Sequence, residues 1–409
     1  MSGRRALLLG GAGAVVLLLV LVIALVVSRP SPPRGDPAVT GLAGTPPMGW
    51  NSWNHFGCSV DADLVERTAD ALAANGLQKL GYVSVDIDDC WMAPQRDPHT
   101  GELVPDPVKF PQGIAAVARY LHARGFSLGI YEDAGTETCA GFPGSLGHER
   151  LDARTFARWG VDTLKYDNCN HAGQSTTGQY IERYRAMRDA LRATGRPIFF
   201  AICEWGVHRP WTWAAGVGQS WRTTHDIADS YGSMLAIFRQ NVRLSAYAGP
   251  GGWNDPDMLE VGNGGMTLTE ERTEFTLWAA MAAPLIAGAD IRTLTPDDLA
   301  IYSNPEVIAI DQDPRGAQAV PISQNGKPAG SGGLWVLSKP LADGDRAVVL
   351  FNSTDSPQTI STTASQVGLR GLGFDVRDVW AGTDSTTSGR ISTVLAPHEA
   401  ALFRISVGH

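Results

Sequence analysis

From about residue 45 onward, short apolar runs alternate with segments of helical period. "YVSVDID" (82–88) has the β-branched and aromatic content of a strand. "GIAAVARYLHARG" repeats apolar positions at three- and four-residue intervals and stops at a glycine, as an amphipathic helix does. "FSLGIYED", "TLKYD", "PIFFAIC", "SWRTTHDI", "GGWNDPDML" and "PLIAG" are further strand candidates. Between them "DARTFARWG", "TGQYIERYRAMRDALRATG", the stretch near 230–246 and "TEERTEFTLWAAMA" carry helical spacing. With "MGWNSW" at the start there are about eight strand–helix units over roughly 270 residues, which predicts an α/β fold, the parallel (β/α)8 TIM barrel. An open doubly wound sheet is the alternative. A dinucleotide site on such a sheet would need Gly-x-Gly-x-x-Gly at a strand–helix turn, and the chain has none there.

The pattern changes after about residue 315. "GGLWVLSKPL", "RAVVLFNS", "QTISTTAS", "FDVRDVW", "RISTVLA" and "EAALFRISV" are strands separated by Gly, Asp, Ser and Pro turns, without helical period. This predicts a small C-terminal antiparallel β-sandwich. The expected division is an N-terminal segment over 1–37, a catalytic barrel over 38–315 and a sandwich over 316–409.

The N-terminal segment has its own character. After "MSGRR", residues 6–27 form 22 positions without a charge. As a helix this run is about 33 Å long, close to the thickness of a bilayer core. Arg4 and Arg5 on its inner side imply export of the rest of the chain, through a signal anchor or a long cleaved signal peptide. "SRPSPPRGDP" then reads as a stiff spacer. The expectation is an extracellular protein, secreted or anchored to the outer face of the cytoplasmic membrane, with membrane anchoring through this helix. Net charge is −9, which supplies no basic surface for nucleic acid. In an oxidising compartment the five cysteines can pair, and the odd count leaves at least one free. No Cys-x-x-Cys or His-Glu-x-x-His occurs, so neither a metal nor a cofactor is expected.

Polar residues gather where the predicted strands end: "DIDDCW", "YEDAG", "KYDNC", "CEWG", "WRTTHD" and "WNDPDM". A lone Asp after a strand is commonly a helix cap, and Asp229 suits that role for the helix starting near Ser230. Six strand ends sharing the pattern instead predict one acidic, aromatic-lined bowl at the C-terminal face of the barrel. Paired carboxyls with aromatic faces suit glycoside hydrolysis, which needs one ionised and one protonated carboxyl across the scissile bond. Asp167 is the candidate nucleophile, with Lys165 two residues earlier on the same strand face to keep it ionised. Asp226, on the sixth strand and so across the barrel, is the candidate acid/base.

At these residues the sequence closely resembles glycoside hydrolase family 27, and within it the α-galactosidases. The resemblance rests on "PPMGWNSWNHFGC", "DIDDCW", "LGIYEDAGTETCAGFPGS", "LKYDNCN", "CEWG", "RTTHDI" and "GGWNDPDMLEVGN", in that order over roughly residues 45–315. It implies an exported, retaining exo-glycosidase acting on terminal α-D-galactosyl residues of oligosaccharide substrates through a covalent galactosyl-enzyme. Asp167 would be the nucleophile and Asp226 the acid/base. Trp53 would pack on the galactose ring, and Asp88 and Asp89 would accept from its 4- and 6-hydroxyls. Tyr131, Lys165 and Arg222 would surround the ring, Glu204 would lie with Arg222 near the 2-position, and Asp257 with Met258 would form the last wall. Cys139 and Cys203 join the sugar-binding set. The resemblance also implies the disulfides Cys58–Cys90 and Cys139–Cys169, leaving Cys203 as a free thiol beside the sugar. A carboxylate at Glu204 suits an unsubstituted 2-hydroxyl, against the related α-N-acetylgalactosaminidases. A β-L-arabinopyranosidase of the same family and an inactive carbohydrate-binding protein compete with the α-galactosidase reading. His225 departs from the family pattern, which usually has a small residue before the acid/base.

Overall fold

A computed structural model describes residues 42–323 and 326–408. The expected N-terminal anchor and spacer fall outside these residues. Among the described residues no helix is long and apolar enough to cross a membrane.

Eight short strands form the first sheet: β1 (Met48–Asn51), β2 (Ser84–Ile87), β3 (Ser127–Asp133), β4 (Thr163–Asp167), β5 (Phe199–Ile202), β6 (Ser220–Arg222), β7 (Trp253–Asp255) and β8 (Leu285–Ala287). Their order is β7-β6-β5-β4-β3-β2-β1-β8, and every pairing is parallel. The ring closes just beyond β7, where Leu259 N–H donates to Ile286 O at 2.8 Å and Gly288 N–H donates to Leu259 O at 2.9 Å. This is the expected (β/α)8 barrel.

Helices cover its outside: α1 (Ala62–Ala74), α2 (Ile114–His122), α3 (Glu149–Trp159), α4 (Thr177–Ala193), α5 (Tyr231–Asn241) and α6 (Leu268–Ala280). α2, for example, turns Ile114, Val117, Ala118 and Leu121 inward, whereas α6 is buried on all sides from Thr273 to Ala280. α1 is an addition to the pattern-based expectation, started by an Asp61 side chain that accepts from Leu64 N–H. α5 corrects another expectation. Its N-cap is Ser230, which accepts from Ser233 N–H, whereas Asp229 reaches away to accept from Gly265 N–H at 2.6 Å. α5 also stops at Asn241 rather than 246, because residues 242–244 tighten into a 3-10 turn.

Two helices, α7 (Pro296–Tyr302) and α8 (Pro305–Asp311), lead to a second, antiparallel region. Its strands are β9 (Val320–Pro321), β10 (Leu334–Pro340), β11 (Arg346–Asn352), β12 (Gln358–Thr363), β13 (Phe374–Asp378), β14 (Thr383–Thr387), β15 (Arg390–Leu395) and β16 (Ala400–Val407). A six-stranded sheet, β14-β13-β16-β11-β10-β9, faces the pair β12-β15 across an apolar core containing Val348, Leu350, Ile360 and Ile405. β14 is "TDSTT", four of its five residues exposed; an edge strand with no apolar face leaves no alternation to read. The sandwich packs against α5, where the Phe238 ring meets those of Trp335 and Phe351 at 5.1 and 5.5 Å.

Inside the barrel the inward-facing positions are mostly small or polar, not the branched side chains that fill many such barrels. Gly129 is one of them: a Cβ there would fall 1.9 Å from Asp86 Oδ1. A small cavity results, lined by Asn51, Asp86, Ala201, Cys203 and Asp255 among others.

Candidate active site

A pocket opens at the C-terminal ends of the strands. It is lined by Trp53, Asn54, Asp88, Asp89, Tyr131, Cys139, Lys165, Asp167, Arg222, Asp226, Asp257 and Met258. The structure therefore brings both candidate catalytic carboxyls and most of the expected sugar contacts to one cavity.

The floor is built by strand alternation. Lys165 and Asp167 are two apart on β4 and face the same way. Parallel pairing sets Tyr131 beside Lys165 and Asp133 beside Asp167. Lys165 Nζ donates to Asp88 Oδ2 at 2.7 Å, and Asn51 Nδ2 donates to the same oxygen at 2.8 Å. Burial opposes the Lys165 charge, but Asp88 and the other acidic groups around it hold the ammonium above the ordinary lysine value. The Tyr131 ring lies 5.4 Å from that ammonium, within cation–π range.

Asp89 is held by its neighbours' backbones: Oδ1 accepts from Cys90 N–H at 2.6 Å and Oδ2 from Ala140 N–H at 2.9 Å. Cys90 takes a φ of +72° to make this turn. Trp53 lies two residues beyond β1, and its backbone N–H donates to Asn51 Oδ1 at 2.8 Å, so one asparagine holds both the Trp53 backbone and Asp88. Asn54 and Asp133 are site residues beyond those singled out from the sequence. Asn54 donates to Glu260. Asp133 accepts from Gly135 N–H at 2.6 Å and Cys169 N–H at 2.8 Å, fixing the loops on either side of Asp167.

The far wall comes from β6 and β7. Arg222 Nη2 lies 2.9 Å from both Asp226 Oδ1 and Asp257 Oδ2. Asp257, at φ +87°, also accepts from Ile227 N–H and Met258 N–H at 2.8 and 2.9 Å. Asp167 is 5% exposed, whereas the Asp226 side chain is 62% exposed and stands on the rim.

The two acids are biased in opposite directions. Burial pushes the Asp167 carboxyl up to about 8, with Lys165 opposing. Burial also raises Asp226, but Arg222 and Lys165 outweigh it and hold that carboxyl below the ordinary value. The Asp226 charge itself adds to the upward push on Asp167.

Both expected disulfides are formed, Cys58–Cys90 and Cys139–Cys169, each with Cα atoms 5.1 Å apart. Cys203 is a buried free thiol. Asp133, Cys139, Asp167 and Cys169 place ligand-type atoms within 4.8 Å of one another. The disulfide consumes both sulfurs as thiolate donors, which leaves a poor cation site.

Two further expected contacts, Cys203 and Glu204, are not among the residues that line this pocket. Cys203 lines the deeper barrel cavity, with Arg222 Nη1 3.7 Å from its Sγ. Glu204 is wholly buried in the loop after β5, where Oε2 accepts from His208 N–H at 2.8 Å and Oε1 has no partner. Its neighbour Trp205 is likewise beyond the residues singled out from the sequence. It has a φ of +57°, a buried indole N–H without a partner, and a ring next to that of His225. "CEWG" held the signal, an aromatic among strand-end acids.

The chain matches the α-galactosidase A family over residues 45–313, and the α-galactosidase C-terminal β-sandwich domain over 331–405. It is 49% identical over 365 residues to an α-galactosidase of Oryza sativa, covering 89% of this chain and 85% of the relative. The crystal structure of α-galactosidase I from Mortierella vinacea superposes with a TM-score of 0.86 at 38% identity, over 90% of this chain and 98% of that one. The Saccharomyces cerevisiae α-galactosidase solved with raffinose gives a TM-score of 0.83 at 32% identity, over 91% and 100% of the two chains.

Proposed function

The chain belongs to the α-galactosidases of glycoside hydrolase family 27, and from that premise we propose that it hydrolyses terminal α-D-galactosyl residues with retention of configuration. The observation that carries this reading is that Asp167 and Asp226 line one pocket from opposite walls.

In the first step an Asp167 oxygen attacks the anomeric carbon while Asp226 gives its proton to the glycosidic oxygen. The C–O bond breaks, the alcohol leaves, and a galactosyl ester remains on Asp167. Asp226, now ionised, takes a proton from water. The water oxygen attacks the same carbon, galactose departs and the Asp167 carboxylate is restored. Position supports these roles. Asp167 is on the floor, where the sugar's anomeric carbon would meet it. Asp226 is on the rim, where a leaving group exits and water arrives. The acidities in the protein alone run the other way, so the step requires the pair's proton on Asp226. Lys165 favours the ionised Asp167 that this arrangement needs.

Trp53 would stack on the sugar's apolar face, and Asp88 and Asp89 would accept from the 4- and 6-hydroxyls with lone pairs left over from their protein bonds. Arg222 would serve the ring near the 2-position, with Asp257 and Met258 as the closing wall. Two bonded cysteine pairs on the described residues support an exported protein, because such bonds persist in oxidising compartments.

Proton NMR of the first sugar released from an α-galactoside tests the reading. α-Galactose should appear first and then mutarotate, and Asp167→Asn should abolish turnover. First release of the β-anomer would refute the covalent route.

A further inference from the structure

We propose that His225 is a specificity-determining residue for the leaving group, forming with Trp205 an aromatic platform for a second sugar ring bonded to the galactose. The proposal rests on the galactosidase reading and extends it from the sugar in the pocket to the group beyond it.

His225 immediately precedes Asp226, and both are exposed at the rim. If Asp226 delivers its proton to the glycosidic oxygen, the leaving group must pass against whatever flanks Asp226 on the solvent side. His225 has no hydrogen-bond partner among the described residues. Its ring neighbour is Trp205, with centroids 6.4 Å apart and planes tilted by 31°.

The loop that carries His225 is fixed on both sides. Arg222 ties to Asp226 at 2.9 Å, Thr223 N–H donates to Asp255 O at 2.9 Å, and Ile227 N–H donates to Asp257 at 2.8 Å. Gly206 locks the neighbouring loop, since a Cβ there would lie 2.2 Å from Thr223 O. The backbone segments that carry the two rings are therefore fixed before any substrate arrives, which lowers the ordering cost of binding. An exposed imidazole with no internal bond to satisfy, beside a half-buried indole, suits the apolar face of a pyranose or furanose, and the imidazole can also bond a ring hydroxyl.

The test compares kcat/KM for melibiose, whose leaving group is a hexose, with that for methyl α-galactoside, whose leaving group is methanol. His225→Ala should lower the melibiose-to-methyl ratio about three- to tenfold, carried by KM for melibiose. His225→Phe should restore most of the ratio, because it returns a ring without a charge. An unchanged ratio in His225→Ala would overturn the proposal. So would failure of His225→Phe to restore it together with a displaced pH–rate profile, which would make the imidazole's charge the cause. Absence of turnover of both substrates by the unaltered protein would refute the galactosidase reading itself, a result distinct from either.

Discussion

Lys165 and Asp88, 77 residues apart in the chain, meet at 2.7 Å across the pocket floor, with Asp88 2% and Lys165 20% exposed. The pair joins β2 to β4 and sets charge beneath both the sugar site and Asp167. Replacing Lys165 by Met leaves a buried carboxylate without its cation, a change that costs about 3–5 kcal/mol. Urea unfolding should show that loss, with kcat/KM reduced at the same time. Adding Asp88→Asn should recover part of the stability and none of the activity. A Lys165→Met protein as stable as the parent would mean that the pair is not closed in solution.

The Cys139–Cys169 bridge adjoins the floor, with Cys139 Sγ 3.6 Å from Asp167 Oδ2. Its two ends are 30 residues apart, and such a loop closure is worth about 3 kcal/mol in the chain-entropy view. The double variant Cys139→Ala/Cys169→Ala should lower the melting temperature by several degrees and reduce kcat, because the loop it releases borders Asp167. An unaltered melting temperature would show that the bridge constrains little.

The barrel and its acidic mouth are legible in the sequence because strand alternation is regular there. "KYD" sets Lys165 and Asp167 on one face, and "DIDD" delivers Asp88 to the pocket, so type and spacing are enough. The loop after β5 is not legible in that way. Trp205 at φ +57° and Gly206 at φ +75° break the two-residue alternation. Glu204 is buried, and the indole lies next to the His225 ring. Positive φ at a tryptophan is fixed by tertiary contact, here Gly206 against Thr223, and no local pattern announces it. The cap of α5 escapes a sequence reading for a related reason. Asp229 and Ser230 are both good caps, and the Gly265 amide that claims Asp229 is distant in sequence.

Gly129 shows how closely the polar barrel interior is fitted. Its absent Cβ makes room for the Asp86 carboxylate, which also accepts from Ser84 Oγ at 2.6 Å. Gly129→Ala should destabilise the fold by about 1–3 kcal/mol through overpacking. Pairing it with Asp86→Ala should relieve much of that cost, which chemical denaturation of the single and double variants would measure. Additive losses in the double variant would rule out the contact as the cause.

The buried acids also set how stability follows pH. Burial raises Asp86 and Asp133 to about 7, and Asp167 and Glu204 to about 8, whereas in the unfolded chain such groups titrate near 4. Between those limits the folded protein holds more protons than the unfolded one, so stability declines as pH rises. The contribution is complete below about 4 and is lost as each folded value is passed. Calorimetry should therefore give a higher melting temperature at pH 5 than at pH 8. Asp226 and Glu270, held low by their cationic or hydrogen-bonding partners, lose their own contribution only under stronger acid. Glu204 isolates one group of the set, because its burial makes the ionised form costly. Glu204→Gln cannot ionise, so its melting temperature relative to the parent should rise steadily from pH 5 to pH 8. A difference that is flat with pH would mean that Glu204 titrates normally and that its side chain reaches water.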